Sequence, residues 1–279
     1  MAPTDRSPTA VGDSSRVDTN RSSPARLWDA ALGGKDHFDA DRKLLNELLT
    51  SVPDLMTTAE ELRQWLLRVG RYLVDRAGTD QFLDCGFGLP RQERLHETLQ
   101  RINPDTNVIY VDKDPTVVAY GKAMLVDNDR TFCIAVDPGK PDELMANDII
   151  RKNLDLDRPI ALMLTNIVHL IEDDNQASDL MAAYVQALPS GSFVALSHLY
   201  DPADGSRHAA IARTLEEKIR QGLGSCKFRP LEQISSYFDG LDLVQPGLVK
   251  LFEWWPYGPR LIEAVDMDKL MLCGLGRKR

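Results

Sequence analysis

After Gly78 the sequence carries five short apolar runs, Gln81 to Cys85, Val108 to Val111, Thr131 to Val136, Ile160 to Leu164 and Ser192 to Ser197, separated by stretches with helical spacing. Near-continuous apolar runs of this length suit strands buried on both faces, and their alternation with helices implies βαβ units around a parallel sheet. The chain therefore reads as a Rossmann-like α/β protein. Leu180, Ala183, Tyr184, Ala187 and Leu188 form one of the intervening helical stripes, and Ile211, Leu215 and Ile219 form another. Toward the C-terminus, the runs Leu241 to Val244 and Leu248 to Trp254 flank Gln245-Pro246-Gly247. Pro followed by Gly favours a type II turn, so an antiparallel hairpin is expected at the sheet edge.

Upstream of Gly78 the period is helical throughout. Leu27, Trp28 and Ala31 open it, Leu44, Leu45, Leu48 and Leu49 follow, and Leu62, Trp65, Leu66, Val69, Tyr72 and Leu73 complete it. Residues 24–78 are expected to form a helical cap or lid, and residues 79–279 the cofactor-binding domain. Residues 1–23, rich in Ser, Thr, Asp, Arg and Pro, bury too little apolar surface to offset ordering entropy and read as a disordered tail.

A formal charge of -9, spread along the chain, argues against a polyanionic partner, so nucleic acid is not expected. The basic end Arg277-Lys278-Arg279 reads as solvated. Cys85, Cys133, Cys226 and Cys273 lie far apart without CxxC or His spacing, so neither a metal cluster nor a disulfide framework is expected. No run approaches the roughly 20 apolar residues that span a bilayer, and no signal-peptide core is present at the start. A cytoplasmic protein without a membrane partner is expected; nothing in the sequence fixes its oligomeric state.

Chemistry-bearing residues recur where the apolar runs end. Phe82-Leu83-Asp84-Cys85-Gly86-Phe87-Gly88-Leu89-Pro90 reads as a strand followed by a tight glycine turn. The missing side chains at Gly86 and Gly88 let a ligand reach the backbone. Asp112, 26 residues after Gly86, ends the second run beside Lys113, where a carboxylate can accept both ribose hydroxyl hydrogens. Asp137 ends the third, where an acceptor could take the exocyclic amine of adenine, and Asn166 ends the fourth. His169, in an apolar run, reads as a satisfied core histidine. A dinucleotide fingerprint needs a third glycine where this chain has Arg91. Asp84, two residues before the first glycine, suits a cationic aminoacyl group better than a pyrophosphate, because two anions repel.

On these residues the chain resembles the actinobacterial S-adenosylmethionine-dependent methyltransferases grouped as DUF574. The likeness runs through Pro24 to Phe38, including Gly33-Gly34-Lys35-Asp36-His37, then Phe82 to Pro90 and Val108 to Pro115, with Leu188 to His198 and Pro246 to Val249 extending it. It implies a class I methyltransferase with a seven-stranded, mostly parallel sheet and S-adenosylmethionine as cofactor. Asp84, Gly86 and Gly88 would lie near the methionine moiety, Asp112 at the ribose and Asp137 near adenine; the acceptor implied is an unidentified small molecule. Two departures stand out. Phe87 is bulky where the family turn carries a small or hydroxyl residue, so it would stack on the cofactor or obstruct it. Pro138-Gly139 stands where the family favours an Arg.

Methyl transfer needs alignment of nucleophile, methyl carbon and sulfur more than it needs a catalytic side chain. If the acceptor requires a base, His37 or His198 could serve near neutral pH. The Gly33-Gly34-Lys35-Asp36 segment reads either as a flexible lid, which would bring Asp36 or His37 to the acceptor, or as a helix stop with a solvated charge cluster. A non-catalytic S-adenosylmethionine or S-adenosylhomocysteine binder and a nicotinamide oxidoreductase are the alternative readings, because fold alone does not decide function.

Overall fold

A computed structural model describes residues 17–91, 93–254 and 264–279. Three helices come first, α1 (Pro24–Ala31), α2 (Asp39–Leu49) and α3 (Leu55–Asp75). Strands and helices then alternate: β1 (Gln81–Cys85), α4 (Leu95–Gln100), β2 (Asn107–Asp112), α5 (Pro115–Met124) and β3 (Thr131–Ala135). The short helices α6 (Pro141–Met145) and α7 (Asp148–Asn153) lead to β4 (Ala161–Thr165), α8 (Asp174–Ala187) and β5 (Phe193–Leu199). After α9 (Arg207–Leu223) and α10 (Leu231–Ser236) come β6 (Leu241–Leu243), β7 (Val249–Lys250) and β8 (Met271–Lys278).

The strands form one sheet in the order β3-β2-β1-β4-β5-β8-β6, with β7 also on β8; β1 to β5 pair in parallel, and β8 runs antiparallel to its neighbours. This is the mostly parallel Rossmann-like sheet expected from the sequence. Alternate strand residues feed two cores. Phe82, Val108, Tyr110, Met163 and Ala195 pack toward α1 to α5 and α9, whereas Leu83, Ile109, Leu162, Leu164 and Leu196 pack toward α6, α7 and α8. The helices of residues 24–78 share the first core directly: Leu27, Leu48, Leu62, Trp65 and Leu73 belong to the same cluster as sheet residues. On α3, Gly70 is needed for that packing, because a Cβ there would lie 2.8 Å from Leu99 Cδ2.

The antiparallel edge differs in detail from the expected hairpin. Leu241–Leu243 and Val249–Lys250 do not pair with each other; β8 receives both, with Leu243 opposite Gly276 and Val249 opposite Cys273. Gly247 N–H donates to the Val244 carbonyl at 2.9 Å, so a turn forms, but Val244 N–H goes to Leu275. β8 outcompetes the local hairpin because it offers a long ladder to β5 as well. The basic end is not simply solvated: Arg279 pairs with Asp242 at 2.7 Å, Lys278 Nζ donates to the Gln186 and Leu188 carbonyls, and Arg277 lies over the Phe193 ring.

The expected N-terminal tail falls largely on residues 1–16, outside the described residues. Of residues 17–23, 17–21 are exposed and Ser22 and Ser23 are half-buried. Buried Asp41 accepts from Ser22 Oγ at 2.8 Å, from Ser23 N–H at 3.1 Å and from Arg26 Nε at 2.9 Å. Burial alone would raise its carboxyl, but the Phe38 N–H at 2.9 Å together with these bonds holds it below the usual range. The contacts of this stretch with α1 and α2 are polar, with Arg26 Nη2 also donating to the Asp18 and Arg21 carbonyls. Among the described residues, no helix is long and apolar enough to cross a membrane.

Candidate functional site

The strand order reverses between β1 and β4, since β2 and β3 lie to one side of them and β5 to the other. Open α/β sheets bind ligands outside the strand C-termini at such a point. A cavity of about 720 Å³ lies there, lined by Gly86, Phe87 and Gly88 after β1, Asp112 to Asp114 after β2, Asp137 to Gly139 after β3, and Thr165 to Ile167 after β4. Its volume lies within the roughly 300–1,000 Å³ typical of small-molecule sites. The opposite wall comes from α1 and α3: Trp28, Asp29 and Leu32, then Ala59, Leu62, Arg63 and Leu66.

The glycine turn is shaped by two different constraints. Gly86 has φ +73° and a Cβ there would strike Ile167 Cδ1 at 2.1 Å, so this residue is fixed by backbone conformation and by packing beneath the crevice. Gly88 has φ +68° with nothing within 4 Å of the Cβ position, so the space above it is open to a ligand. Phe87 also lines the cavity. Its ring lies edge-on to Tyr110 at 5.2 Å and close against Gly121 on α5, where an added Cβ would meet Cζ at 2.7 Å.

Polar groups around this turn lack partners that the protein could supply. Asp84 is buried and is not among the residues that line the cavity, and its Oδ1 accepts no hydrogen bond among the described residues. Burial pushes its carboxyl up to about 7, Arg63 pulls the other way and Asp112 adds to the rise. Asn166 sits at φ +57° with its N–H on Ser197 Oγ at 3.1 Å, and its buried Oδ1 is also without a partner, as is Thr165 Oγ1. Buried polar atoms left unpaired are costly, and each fits a ligand that completes the pair. Asp112 keeps one oxygen on the Asp114 N–H at 2.9 Å; burial lifts its carboxyl to about 6, opposed by backbone N–H groups including those of Gly88 and Lys113. Asp137 accepts from Gly139 N–H at 2.8 Å and meets Lys113 Nζ at 3.3 Å. The Pro138 carbonyl accepts the Tyr184 hydroxyl at 2.7 Å, which seats the Pro138-Gly139 turn without an Arg.

The two histidines expected as bases lie elsewhere. His198 on β5 is fully buried and does not line the cavity. Arg229 Nη1 donates to its Nε2 at 3.2 Å, which leaves Nδ1 to donate to the Leu199 carbonyl at 2.7 Å. The ring is therefore neutral, and burial, with neighbouring His169 and Arg229, holds its pKa well below the usual range. It cannot exchange protons with a substrate in the crevice. His169 is a buried core residue whose pKa is driven to about 3 by burial and Arg229.

His37 also lies outside the cavity lining. Its Nδ1 meets Asp29 Oδ2 at 2.9 Å, and the same oxygen accepts Asp36 N–H at 2.9 Å. Gly34 N–H donates to the Asp29 carbonyl at 2.8 Å, and a Cβ at Gly34 would lie 1.8 Å from Asp29 Oδ1. Gly33, with φ +71°, ends α1. Asp29 thus folds Gly33, Gly34, Lys35 and Asp36 back onto α1, which keeps all four off the cavity surface. Asp36 in turn accepts the Tyr120 hydroxyl at 3.0 Å, so the segment straps α1 to α5.

Sequence reading missed Arg63, Arg91 and Asp29 in this wall. A signal for Arg63 was present: Ala59, Leu62, Arg63 and Leu66 share one helical face, where a cation among apolar residues is out of place. It also missed Arg229, fully buried, which donates to the Val168 and Ile171 carbonyls at 3.3 and 2.7 Å and to Asp174 at 3.0 Å. Arg229 fixes the loop after β4 that carries Ile167, Leu170 and Ile171 to the cavity.

A switch-point crevice with a glycine turn, acids at successive strand ends and unpaired buried acceptors defines a Rossmann-like nucleoside-cofactor protein. The family model described as S-adenosyl methyltransferase matches residues 10–279, and the chain belongs to that family. It is accordingly a methyltransferase with S-adenosylmethionine as its cofactor. Among solved structures, it is similar to a "putative methyltransferase" from Thermobifida fusca YX, at 34% identity over 97% of this chain and 100% of that one, with a TM-score of 0.88. It is likewise similar to a DUF574 family protein from Streptomyces avermitilis, at 30% identity over 95% of this chain and 100% of that one, with a TM-score of 0.87. No curated protein matches the sequence.

Proposed function

We propose that the cavity at the switch point transfers the methyl group of S-adenosylmethionine to a small-molecule acceptor that enters against α1 and α3. The observation that carries this reading is the pair of unpaired buried polar atoms Thr165 Oγ1 and Asn166 Oδ1 on the lining that also holds the open Gly88 backbone, with the unpaired Asp84 Oδ1 buried at the end of β1. The bound cofactor supplies an electrophilic methyl carbon on a positively charged sulfur. In this assignment Asp84 holds the aminoacyl ammonium, and Arg63, the cation acting on Asp84, holds the adjoining carboxylate. Asp112 accepts from the ribose hydroxyls. Asp137 lies by the adenine, with Lys113 free to leave it for solvent.

The protein's own contribution is then alignment and exclusion of water. Trp28, Leu32, Leu62 and Leu66 supply a dry wall facing the glycine turn, and the strap pinned by Asp29 and Tyr120 keeps α1 in place. No histidine lines this cavity among the described residues. The reading therefore favours an acceptor atom that is nucleophilic without a histidine base. Incubation of the protein and S-adenosylmethionine with the small-molecule fraction of a cell extract tests it. Extract-dependent release of S-adenosylhomocysteine is expected; no release across all fractions would contradict turnover.

A further inference from the structure

The cavity is electrostatically two-sided. Asp112, Asp114 and Asp137 outnumber Lys113 on the strand-end wall, whereas Arg63 and Arg91 outnumber Asp29 on the wall under α1. Nucleoside hydroxyls and amines need the acidic side. The aminoacyl end of the cofactor carries one carboxylate, and Arg63 is the guanidinium in electrostatic contact with Asp84. Arg91 is left over.

Arg91 is held, yet most of its donors are unused. Among the described residues its guanidinium donates one hydrogen bond, to the Leu32 carbonyl at the end of α1. Asp29 Oδ1 lies 3.6 Å from Nη1, an ion pair that is too long to be a good hydrogen bond. That carboxylate is committed elsewhere, since its other oxygen takes Asp36 N–H and His37 Nδ1. Arg91 also repels Arg63, and with burial it lowers the Arg63 guanidinium below its usual range. Arg63 has Glu60, Glu93 and Asp84 as electrostatic partners, so the donors left over in this wall belong to Arg91, whose planar fork matches a carboxylate bidentately. Beside it, Trp28, Leu32 and Leu66 give an apolar surface for the rest of a molecule.

We propose that the methyl acceptor is a small carboxylate-bearing molecule, its anionic end held by Arg91 and its apolar body against Trp28, Leu32 and Leu66. This rests on the cofactor assignment above. The methylated atom is then a group other than that carboxylate, because a carboxylate fixed on a guanidinium is a poor nucleophile.

The test uses the full chain saturated with S-adenosylhomocysteine and titrated by calorimetry with benzoate, indole-3-carboxylate and octanoate. Benzamide and benzylamine serve as the neutral and cationic counterparts. At least one of the acids is expected to bind about tenfold or more tightly than the matching neutral or cationic compound. Arg91→Gln is expected to abolish that preference while S-adenosylhomocysteine affinity stays within about twofold. Failure of all three acids to bind, or equal binding of benzamide or benzylamine, overturns the proposal. A fall in S-adenosylhomocysteine affinity matching the fall in acid binding also overturns it, since Arg91 would then serve the cofactor. If Arg91→Gln does not fold, the comparison of acids with benzamide on the unmodified protein still decides. Absence of S-adenosylhomocysteine binding in the first titration would instead signal failure of the cofactor assignment.

Discussion

Cofactor affinity should depend on pH through Asp84 and Asp112, and the size of the effect follows from their environments. In the free protein their carboxyls are pushed up to about 7 and about 6. A cationic aminoacyl group on Asp84 and ribose hydroxyls on Asp112 favour the ionised forms, so binding expels whatever protons these groups hold. The sign is therefore that affinity rises with pH and levels off once both are ionised in the free protein. At pH 6 the two protonation factors multiply to about 22, and at pH 7.5 to about 1.4, giving a gain of about fifteenfold, or ~1.6 kcal/mol. The range stops at pH 7.5 because the cofactor's own amine, like other α-amino groups, titrates near 8. Calorimetry with S-adenosylmethionine at pH 6.5, in buffers of different ionisation enthalpy, should register release of about one proton per cofactor bound. Asp84→Asn should remove most of that release and Asp112→Asn the remainder. A pH-independent affinity with no proton release would refute the assignment of both carboxylates to the cofactor.

Three further outcomes follow from local packing. Gly88→Ala should fold with only the roughly 1–2 kcal/mol strain of a left-handed non-glycine residue yet lose cofactor binding, whereas Gly86→Ala should be destabilised further by the 2.1 Å clash with Ile167; thermal melts and titrations separate the two. Gly121→Ala places a Cβ 2.7 Å from both Phe87 Cζ and Cys133 Sγ and should cost about 1–3 kcal/mol by denaturant unfolding, with partial rescue by Phe87→Leu. Arg229→Met should destabilise by about 3–5 kcal/mol, because buried acceptors on the loop after β4 lose their donor; an unchanged melting temperature would contradict its clamping role.

The central sheet was legible because β1 to β5 are buried on both faces and so appear as uninterrupted apolar runs, and the strand-end acids fall where the topology puts a crevice. β8 was not. Its segment Met271-Leu272-Cys273-Gly274-Leu275-Gly276 carries two glycines that lower strand propensity, yet they are what let Phe238 and Leu241 pack close to the strand, with a Cβ at either position meeting them at 2.8 Å. Missing β8 led directly to the wrong partner for β6. The cap-side wall was illegible for a different reason: Asp29, Arg63 and Arg91 are far apart in sequence and become one surface only when α1 and α3 settle over the glycine turn. His198 misled because a strand-end histidine looks available until Arg229, from the segment before α10, occupies its ring nitrogen.

The most direct test of the account is the affinity of the intact chain and of Asp112→Ala for S-adenosylmethionine, measured beside NAD at pH 7.5. The account predicts binding of S-adenosylmethionine and not of NAD, and a loss of about 1.5–3 kcal/mol in the variant from charged hydrogen bonds to the ribose. Binding of NAD alone, or an unchanged affinity in Asp112→Ala, would contradict it.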